Sequence, residues 1–493
     1  SAQDGGRGSK GGDAASQLRM RASPTAEFSI PAQTLGKSAL DHFATAMSPK
    51  MPQTSPKSLE LERCDDLAVT SRTITDLLKE APHGFGTKVG LVLCLGNACD
   101  ALETLSGGFV LPQLEKEFSG VQTLMAAVFA GMLAGGCCAG HVACKYGPTK
   151  ALVWMLSMES LAGFGGATAQ SGFQYACWRF LSGFAVGAAV PSLFTTANEL
   201  IHPPVRRNRW LNMIASSFMI GSITDATLAY LMTEILGLPW RVFYASTGFL
   251  PLLAATLARL WLPESPNFLL QKGCRSQLHR ELLKLGCTGA SIQESAAFVV
   301  VLDKSLETDK FLAKEDLGDV GFRDLLRGDW RRDLLRLAIV CFSIAFAWYG
   351  LATWLLEIFQ QVGVKDVYLA GVAFALSGLP GCLLCISLIA WVSPLKLLNI
   401  ALLSTAANSA LLSVTMRGTG TKFSLSPAAA AATVCVFNSM STGVFNVLTT
   451  VWATPFPLDL QPMAVGFLSV AMRVGSIIAQ FVDGTLMHQG DGF

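Results

Sequence analysis

The stretch KVGLVLCLGNACDALETLSGGFVL, residues Lys88 to Leu111, decides the fold. At a helical rise of ~1.5 Å per residue it is long enough to cross a hydrocarbon core of ~30 Å. Behind the edge residue Lys88, its only charged groups are Asp100 and Glu103, which come near its middle. It reads as a transmembrane helix with two carboxyl groups at bilayer depth.

Runs of the same kind recur on both sides of this one, divided by short charged, Gly-bearing or Pro-bearing breaks. Eleven are expected, at 88–111, 121–143, 150–168, 173–197, 210–233, 241–262, 335–356, 367–391, 396–415, 428–452 and 463–485. The weakest separations lie near Tyr175 and Pro394. The one long connection, 263–334, is rich in charge and divides the chain into two halves. The expected organisation is an amino-terminal tail over 1–86, a six-helix transmembrane bundle over 87–262, a central loop over 263–334 and a second, five-span bundle over 335–493.

Composition agrees, because 51% hydrophobic and 15% charged residues are too apolar for a soluble globule of 493 residues. The net charge of +2 is spread without a basic face, so no nucleic-acid partner is expected. No phosphate loop, catalytic triad or metal cluster is evident. Hydropathy excludes a soluble enzyme, nothing suggests an ATP-driven pump, and no enzyme activity, cofactor or metal is expected. Most of the 13 cysteines fall inside expected spans and the rest in segments placed in the cytosol, which implies no extracellular disulfide. Cys382 and Cys385 form a C-x-x-C among apolar neighbours and read as small packing residues.

Lys145 and Lys150, then Arg206, Arg207 and Arg209, then Lys396 fall in the short loops on the side of the basic central loop. That side and the amino terminus are expected in the cytoplasm. Residues 1–65, rich in Ser, Ala, Gly, Pro and Lys, read as a disordered tail without a signal-peptide core. Short amphipathic helices are expected at Thr73 to Lys79, Ser276 to Leu285 and Phe322 to Leu335.

Ionisable residues inside hydrocarbon cost ~2.5–3.5 kcal/mol each on insertion scales, so each suggests function. Asp100 and Glu103 stand three residues apart and share a helix face. In low dielectric two carboxylates so close do not both ionise easily, and the pair is expected to exchange a proton near neutral pH. Asp225, mid-span, adds a third acid. Arg179 and Arg473 are the intramembrane cations, with Arg179 placed to face the acids of the first span. Arg473 has only Asp483 as a candidate acid in its own half, which suits it to an anionic substrate group. The alternative for all of them is that they tie neighbouring helices together.

Several motifs occur in a telling order: Asp100-Ala101-Leu102-Glu103, Leu111-Pro112-Gln113-Leu114, Arg179 through Gly183 to Gly187, Trp240-Arg241, Pro263-Glu264-Ser265-Pro266, Trp348-Tyr349-Gly350, Leu379-Pro380-Gly381 and Ala471-Met472-Arg473-Val474-Gly475. In this order and spacing the chain, over about residues 67–485, resembles major facilitator transporters. Within them it is similar to the branch of synaptic vesicle glycoprotein 2, its related protein, and the organic cation and anion transporters.

The resemblance implies an all-α major facilitator fold of two pseudo-symmetric bundles around a cavity, with alternating access by rocking. It places Asp100, Glu103, Arg179, Trp348, Tyr349 and Asn446 on that cavity. The aromatic pair would offer flat faces to an organic cation, or serve as packing. It also implies gating roles for Gly140, Lys145, Gly147, Glu199 and Arg206. There the sequence departs from the family. Cys144 stands where the loop after the second span usually has Asp, and Pro148 and Thr149 replace its basic pair. The loop over Ala390 to Lys396 lacks its acid, and Thr454 precedes Phe456-Pro457 where an acid is usual. The eleven spans are one short of the family's twelve.

The function expected is secondary transport of a small organic ion or metabolite across a lipid bilayer, with protons as the candidate coupling ion. The alternatives are a non-transporting relative acting as receptor or structural subunit and, more weakly, a sugar transporter. The plasma membrane and an internal membrane are not distinguished. A tag inserted near Lys310 should stay unlabelled in intact cells that display the protein and become accessible on permeabilisation. Labelling from outside would reverse the orientation.

Overall fold

Backbone N–H and C=O groups have no water to bond in hydrocarbon, so each apolar run satisfies them internally as a helix. In the computed structural model, which describes residues 83–284, 330–388, 391–416, 426–451, 455–456 and 460–488, every regular element is helical. The first half contains α1 (His83–Glu117), α2 (Val121–Tyr146), α3 (Pro148–Ala167), α4 (Gly172–Leu200), α5 (Pro204–Ala229), α6 (Trp240–Thr247) and α7 (Phe249–Trp261). A π-helical turn, Tyr230–Ile235, prolongs α5. Two short helices follow, α8 (Pro266–Gln271) and α9 (Arg275–Lys284). The second half contains α10 (Arg331–Thr353), α11 (Leu355–Val362), α12 (Val367–Leu388), α13 (Pro394–Met416), α14 (Pro427–Val451) and α15 (Gln461–His488).

Ten helices among the described residues are long and apolar enough to cross a membrane. The span expected at 150–168 is present as α3 but is not among the ten. Lys150, Ser157, Glu159 and Ser160 dilute its apolar run. The break expected near Tyr175 falls earlier, before α4, and Tyr175 itself is fully buried inside that helix. The helix expected at Ser276 to Leu285 is α9. The stretch Thr73 to Lys79, the tail before it, the central loop from 285 to 329, and Ala390, Thr454 and Pro457 lie outside the described residues.

Within the first half, α1 packs on α4, α5 and α7, α2 on α4, and α3 on α4, α6 and α7. The α2–α4 contact depends on glycine. A Cβ on Gly131 or Gly135 would strike the carbonyl of Phe180 or Phe184, and one on Gly183 or Gly187 that of Val128 or Met132. Such small-residue faces let helix backbones approach in a bilayer, where no hydrophobic force drives helices together. Within the second half, α10 packs on α15, and α14 on α12 and α13. Large apolar side chains such as Leu91, Leu161, Leu260, Leu383 and Leu403 are exposed on the helices, as lipid contact requires.

The halves meet through α2 with α15, α5 with α12, and α1 with α10 and α11. At one end of the bundle this seam is tight. The Gln122 side chain occupies the space beside Gly484, a Cβ on Gly108 would sit 2.8 Å from the Thr353 carbonyl oxygen, and Gln113 Nε2 donates to Tyr368 Oη at 2.7 Å. Towards the other end of the same two helices, Gly140 of α2 and Gly466 of α15 have nothing within 4 Å of their Cβ positions.

Overpacking a close helix contact costs about 1–3 kcal/mol. Gly135→Ala and Gly183→Ala should each lower the thermal midpoint of the purified protein, while Gly140→Ala should leave it unchanged. Equal effects at all three positions would contradict the packing described.

Candidate functional site

Five ionisable side chains converge inside the first half. Asp100 and Glu103 come from α1, Glu159 from α3, Arg179 from α4 and Asp225 from α5, and each is at most 1% exposed. Arg179 Nη1 donates to the backbone oxygen of Glu103 at 2.6 Å and Nη2 to that of Thr104 at 3.2 Å. Tyr244 Oη lies 3.5 Å from the same Nη1. The guanidinium therefore faces the first span as expected, but it grips that span's backbone. Gly107 makes this possible, since a Cβ there would lie 2.7 Å from Nη2.

The Glu103 carboxylate is held by hydroxyls. Ser182 Oγ donates to its Oε2 at 2.9 Å and Thr247 Oγ1 to its Oε1 at 3.2 Å. Gly163 leaves room for it, with a Cβ position 2.9 Å from Oε1. Glu103 thus ties α1 to α4 and α6. Asp100 makes none of these bonds, and its carboxyl is coupled electrostatically to that of Glu159 on α3. Helical spacing put the two α1 acids on one face, but the packing of α3 and α4 sends each to a different neighbour. The carboxyl oxygens of Asp100, Glu159 and Asp225 find no hydrogen-bond donor among the described residues. Asp225 is electrostatically coupled to Glu103 and Arg179.

Across the seam, Trp348 and Tyr349 of α10 are buried and pack edge to face, with ring centroids 4.8 Å apart. Trp348 Nε1 donates to Asn438 Oδ1 at 2.8 Å, and the Tyr349 ring meets Phe129 of the first half at 5.0 Å. Their faces are taken up by protein in this conformation. Asn446 is half-buried on α14, near Cys382. Arg473 is half-buried on α15, and its electrostatic partner is Asp100 of the other half. Asp483 lies instead against Gly350.

At the bundle end away from Gln113, Glu264 caps the start of α3. Its Oε1 accepts from the N–H groups of Thr149 at 3.0 Å and Ser265 at 3.1 Å, and its Oε2 from Lys150 N–H at 3.3 Å. A helix N-terminus offers such unpaired donors and a favourable dipole. Gly147 is required beside it, because its φ is +99° and a Cβ would lie 2.6 Å from the carboxyl. Glu199 reaches Ser265 of the same segment. Arg206 Nη2 donates to Thr87 Oγ1 at 2.9 Å, and Lys145 sits over the Tyr146 ring at 5.0 Å. Of the expected gating residues, Gly147 and Glu199 gather around the segment of Glu264 and Ser265.

Sequence reading passed over Glu159, although the rule that found Asp225 applies to it equally. Ser182, Thr247, Gly107 and Gly163 carried no such signal, because Ser, Thr and Gly are ordinary in membrane helices.

A polytopic helical bundle with a charged centre enclosed between its spans is a multi-pass membrane protein. Residues 93–480 match the Major Facilitator Superfamily, and the chain belongs to that family. It is 27% identical over 373 residues to synaptic vesicle glycoprotein 2C of Mus musculus, an alignment covering 68% of this chain and 50% of that protein. The chain spans about half the length of the synaptic vesicle glycoproteins it matches. It is 26% identical over 409 residues to the niacin transporter NiaP of Acinetobacter baylyi, covering 82% of this chain and 87% of the relative. The crystal structure of a D-xylose-proton symporter superposes with a TM-score of 0.62 at 16% identity, over 81% of this chain and 89% of that one. The family is one of transporters rather than enzymes.

Burial pushes the Glu264 carboxyl above the ordinary carboxylate range, against the opposing pull of the Ser265, Thr149 and Lys150 N–H groups. A carboxyl raised in the folded state is least unfavourable when protonated, so its ionisation removes stability as pH rises through the folded value. Glu264→Gln should flatten that part of the stability–pH profile. Glu264→Ala strands backbone donors at about 1–3 kcal/mol each when buried and should lower the thermal midpoint at every pH. A profile identical in wild type and Glu264→Gln would refute the assignment.

Proposed function

We propose that this chain is a secondary active transporter of a small organic ion, driven by protons and working by alternating access. The observation that carries the reading is the excess of buried carboxyl groups. Four acids are buried inside the first half, Glu103 and Asp225 near Arg179 and Asp100 coupled to Glu159, and three of them have no donor among the described residues. Buried charges left unpaired are costly, so such a cluster is suited to taking up and giving back protons. The proton symporter and niacin transporter among the similar proteins support the class.

The moving bodies are residues 87–262 and 335–493. With the amino terminus in the cytoplasm, the end sealed by Gln113–Tyr368 and Gln122–Gly484 is the outer one. Gly140 and Gly466 then lie towards the inner end, with nothing within 4 Å of their Cβ positions. Trp348, Tyr349 and their neighbour Phe129 lie on the seam and become substrate-facing when it parts. Arg473 selects an anionic group through its planar fork.

A second reading is a non-transporting relative that serves as receptor or structural subunit. The observation favouring it is the loop after α2, where the exposed Cys144 replaces the family's acid.

Proteoliposomes of the full-length protein decide between them, assayed against organic anions, organic cations and sugars with and without a pH gradient. Accumulation of an organic ion that collapses with the gradient is expected, and Asp100→Asn should abolish the gradient-driven part. Arg473→Lys should weaken a carboxylate substrate about tenfold, the loss of roughly one charge-assisted hydrogen bond, with little change in the melting temperature of the empty protein. Ligand binding without uptake of any class would favour the second reading.

A further inference from the structure

We propose that the start of α5 carries a site for one anionic phospholipid, its phosphate held by Arg206 and Arg209 and an acyl chain laid along the exposed face of that helix. The site lies outside the buried centre of the first half and does not depend on the transport reading.

A notch of about 390 Å³ opens there, lined by Pro203, Val205, Arg206 and Arg209. It sits beside the start of α1, at the end of the bundle away from Gln113. Arg206 Nη2 donates to Thr87 Oγ1 at 2.9 Å, and its Cζ lies 3.4 Å from the Cβ position of Gly86. About one turn further along, the Trp210 indole occupies the space beside Gly90 and fastens α5 to α1. Trp210 is buried by this contact, and the adjacent Arg209 is exposed.

The charge at the notch is uncompensated. Arg206, Arg207 and Arg209 fall at the start of α5, whose first turn holds no acid and whose cap makes no side-chain hydrogen bond. Cations there oppose the helix dipole. Among the described residues neither Arg207 nor Arg209 has an ion-pair partner. Arg207 Nε is enclosed with no hydrogen bond among them. A phosphate neutralises such a group and matches the planar forks of paired arginines.

The face below the notch separates a lipid from a free phosphate. Val205 is 74% exposed, Met213 47% and Ile220 59%. Helical periodicity puts 205, 209, 213 and 220 in one stripe. From Arg209 to Ile220 the helix rises ~16 Å, about the hydrocarbon depth of one leaflet. The arginines and the stripe therefore follow the headgroup and chain of a phospholipid in order and in length. In the orientation proposed above this is the cytoplasmic leaflet, where anionic lipids concentrate. Because Arg206 also holds Thr87, the bound lipid ties the starts of α1 and α5 to that leaflet.

The test uses the purified full-length protein in neutral detergent, with dioleoyl phosphatidylglycerol, dioleoyl phosphatidylcholine or inorganic phosphate added. Thermal midpoints report stabilisation by the bound species, and native mass spectra count the lipid retained. Phosphatidylglycerol should raise the midpoint and leave one lipid on the protein, whereas the other two should do neither. Arg209→Gln should weaken that lipid about fivefold, and Lys365→Gln at the opposite end should not change it. Val205→Glu places an acid where a helix start favours one. Its lipid-free midpoint should therefore not fall, while the carboxylate repels the phosphate and removes the lipid effect. If Val205→Glu does not fold, Arg209→Gln decides alone. Equal stabilisation by the two lipids, or a phosphatidylglycerol effect unmoved by these variants, would overturn the site. An equal effect of inorganic phosphate would overturn the lipid as its occupant.

Discussion

The Arg179 guanidinium, buried at the contact of α1 and α4, grips the carbonyl oxygens of Glu103 and Thr104, and the organisation of the first half depends on that grip. A cation at bilayer depth is tolerated only when its donors are bonded and an opposite charge is near. Both conditions are met. The fork takes two backbone oxygens, and the Glu103 carboxylate lies alongside, held by Ser182 and Thr247. One residue pair thus fastens α1, α4 and α6. Glycines at 107 and 163 exist where a side chain would displace the charge partners.

With Arg179 and the hydroxyls committed to Glu103, the neighbouring acids are left without donors. Asp100 and Glu159 are coupled electrostatically to one another, and Asp225 to Glu103 and Arg179. The first half therefore concentrates the charge. The second half presents aromatic rings and amides at the seam, with Trp348 fixed by Asn438 and Asn438 fixed in turn by the Phe374 carbonyl at 2.6 Å.

Glu264 performs for the end of the bundle what Arg179 performs for its centre. A carboxylate from beyond α7 satisfies the free donors of α3 and fills the space that Gly147 leaves. The family's usual acid in that loop is absent here, with Cys144 in its place, yet the segment from 263 to 266 still closes on the loop.

The sequence by itself determined the membrane-spanning helices. Apolar length and the need to satisfy every backbone group internally leave no other solution, so the expected spans and the observed helices coincide to within a few residues at most ends. It also exposed Asp100, Glu103, Arg179 and Asp225, because ionisable groups stand out against hydrocarbon. It did not determine their partners. Spacing along α1 suggested Asp100 with Glu103, whereas Asp100 is coupled electrostatically to Glu159 and Glu103 is held by Ser182 and Thr247, on helices far away in the chain. Helical periodicity fixes which residues share a face, but which helix covers that face follows from backbone approach at glycines such as Gly135 and Gly183, and only the packed bundle decides it.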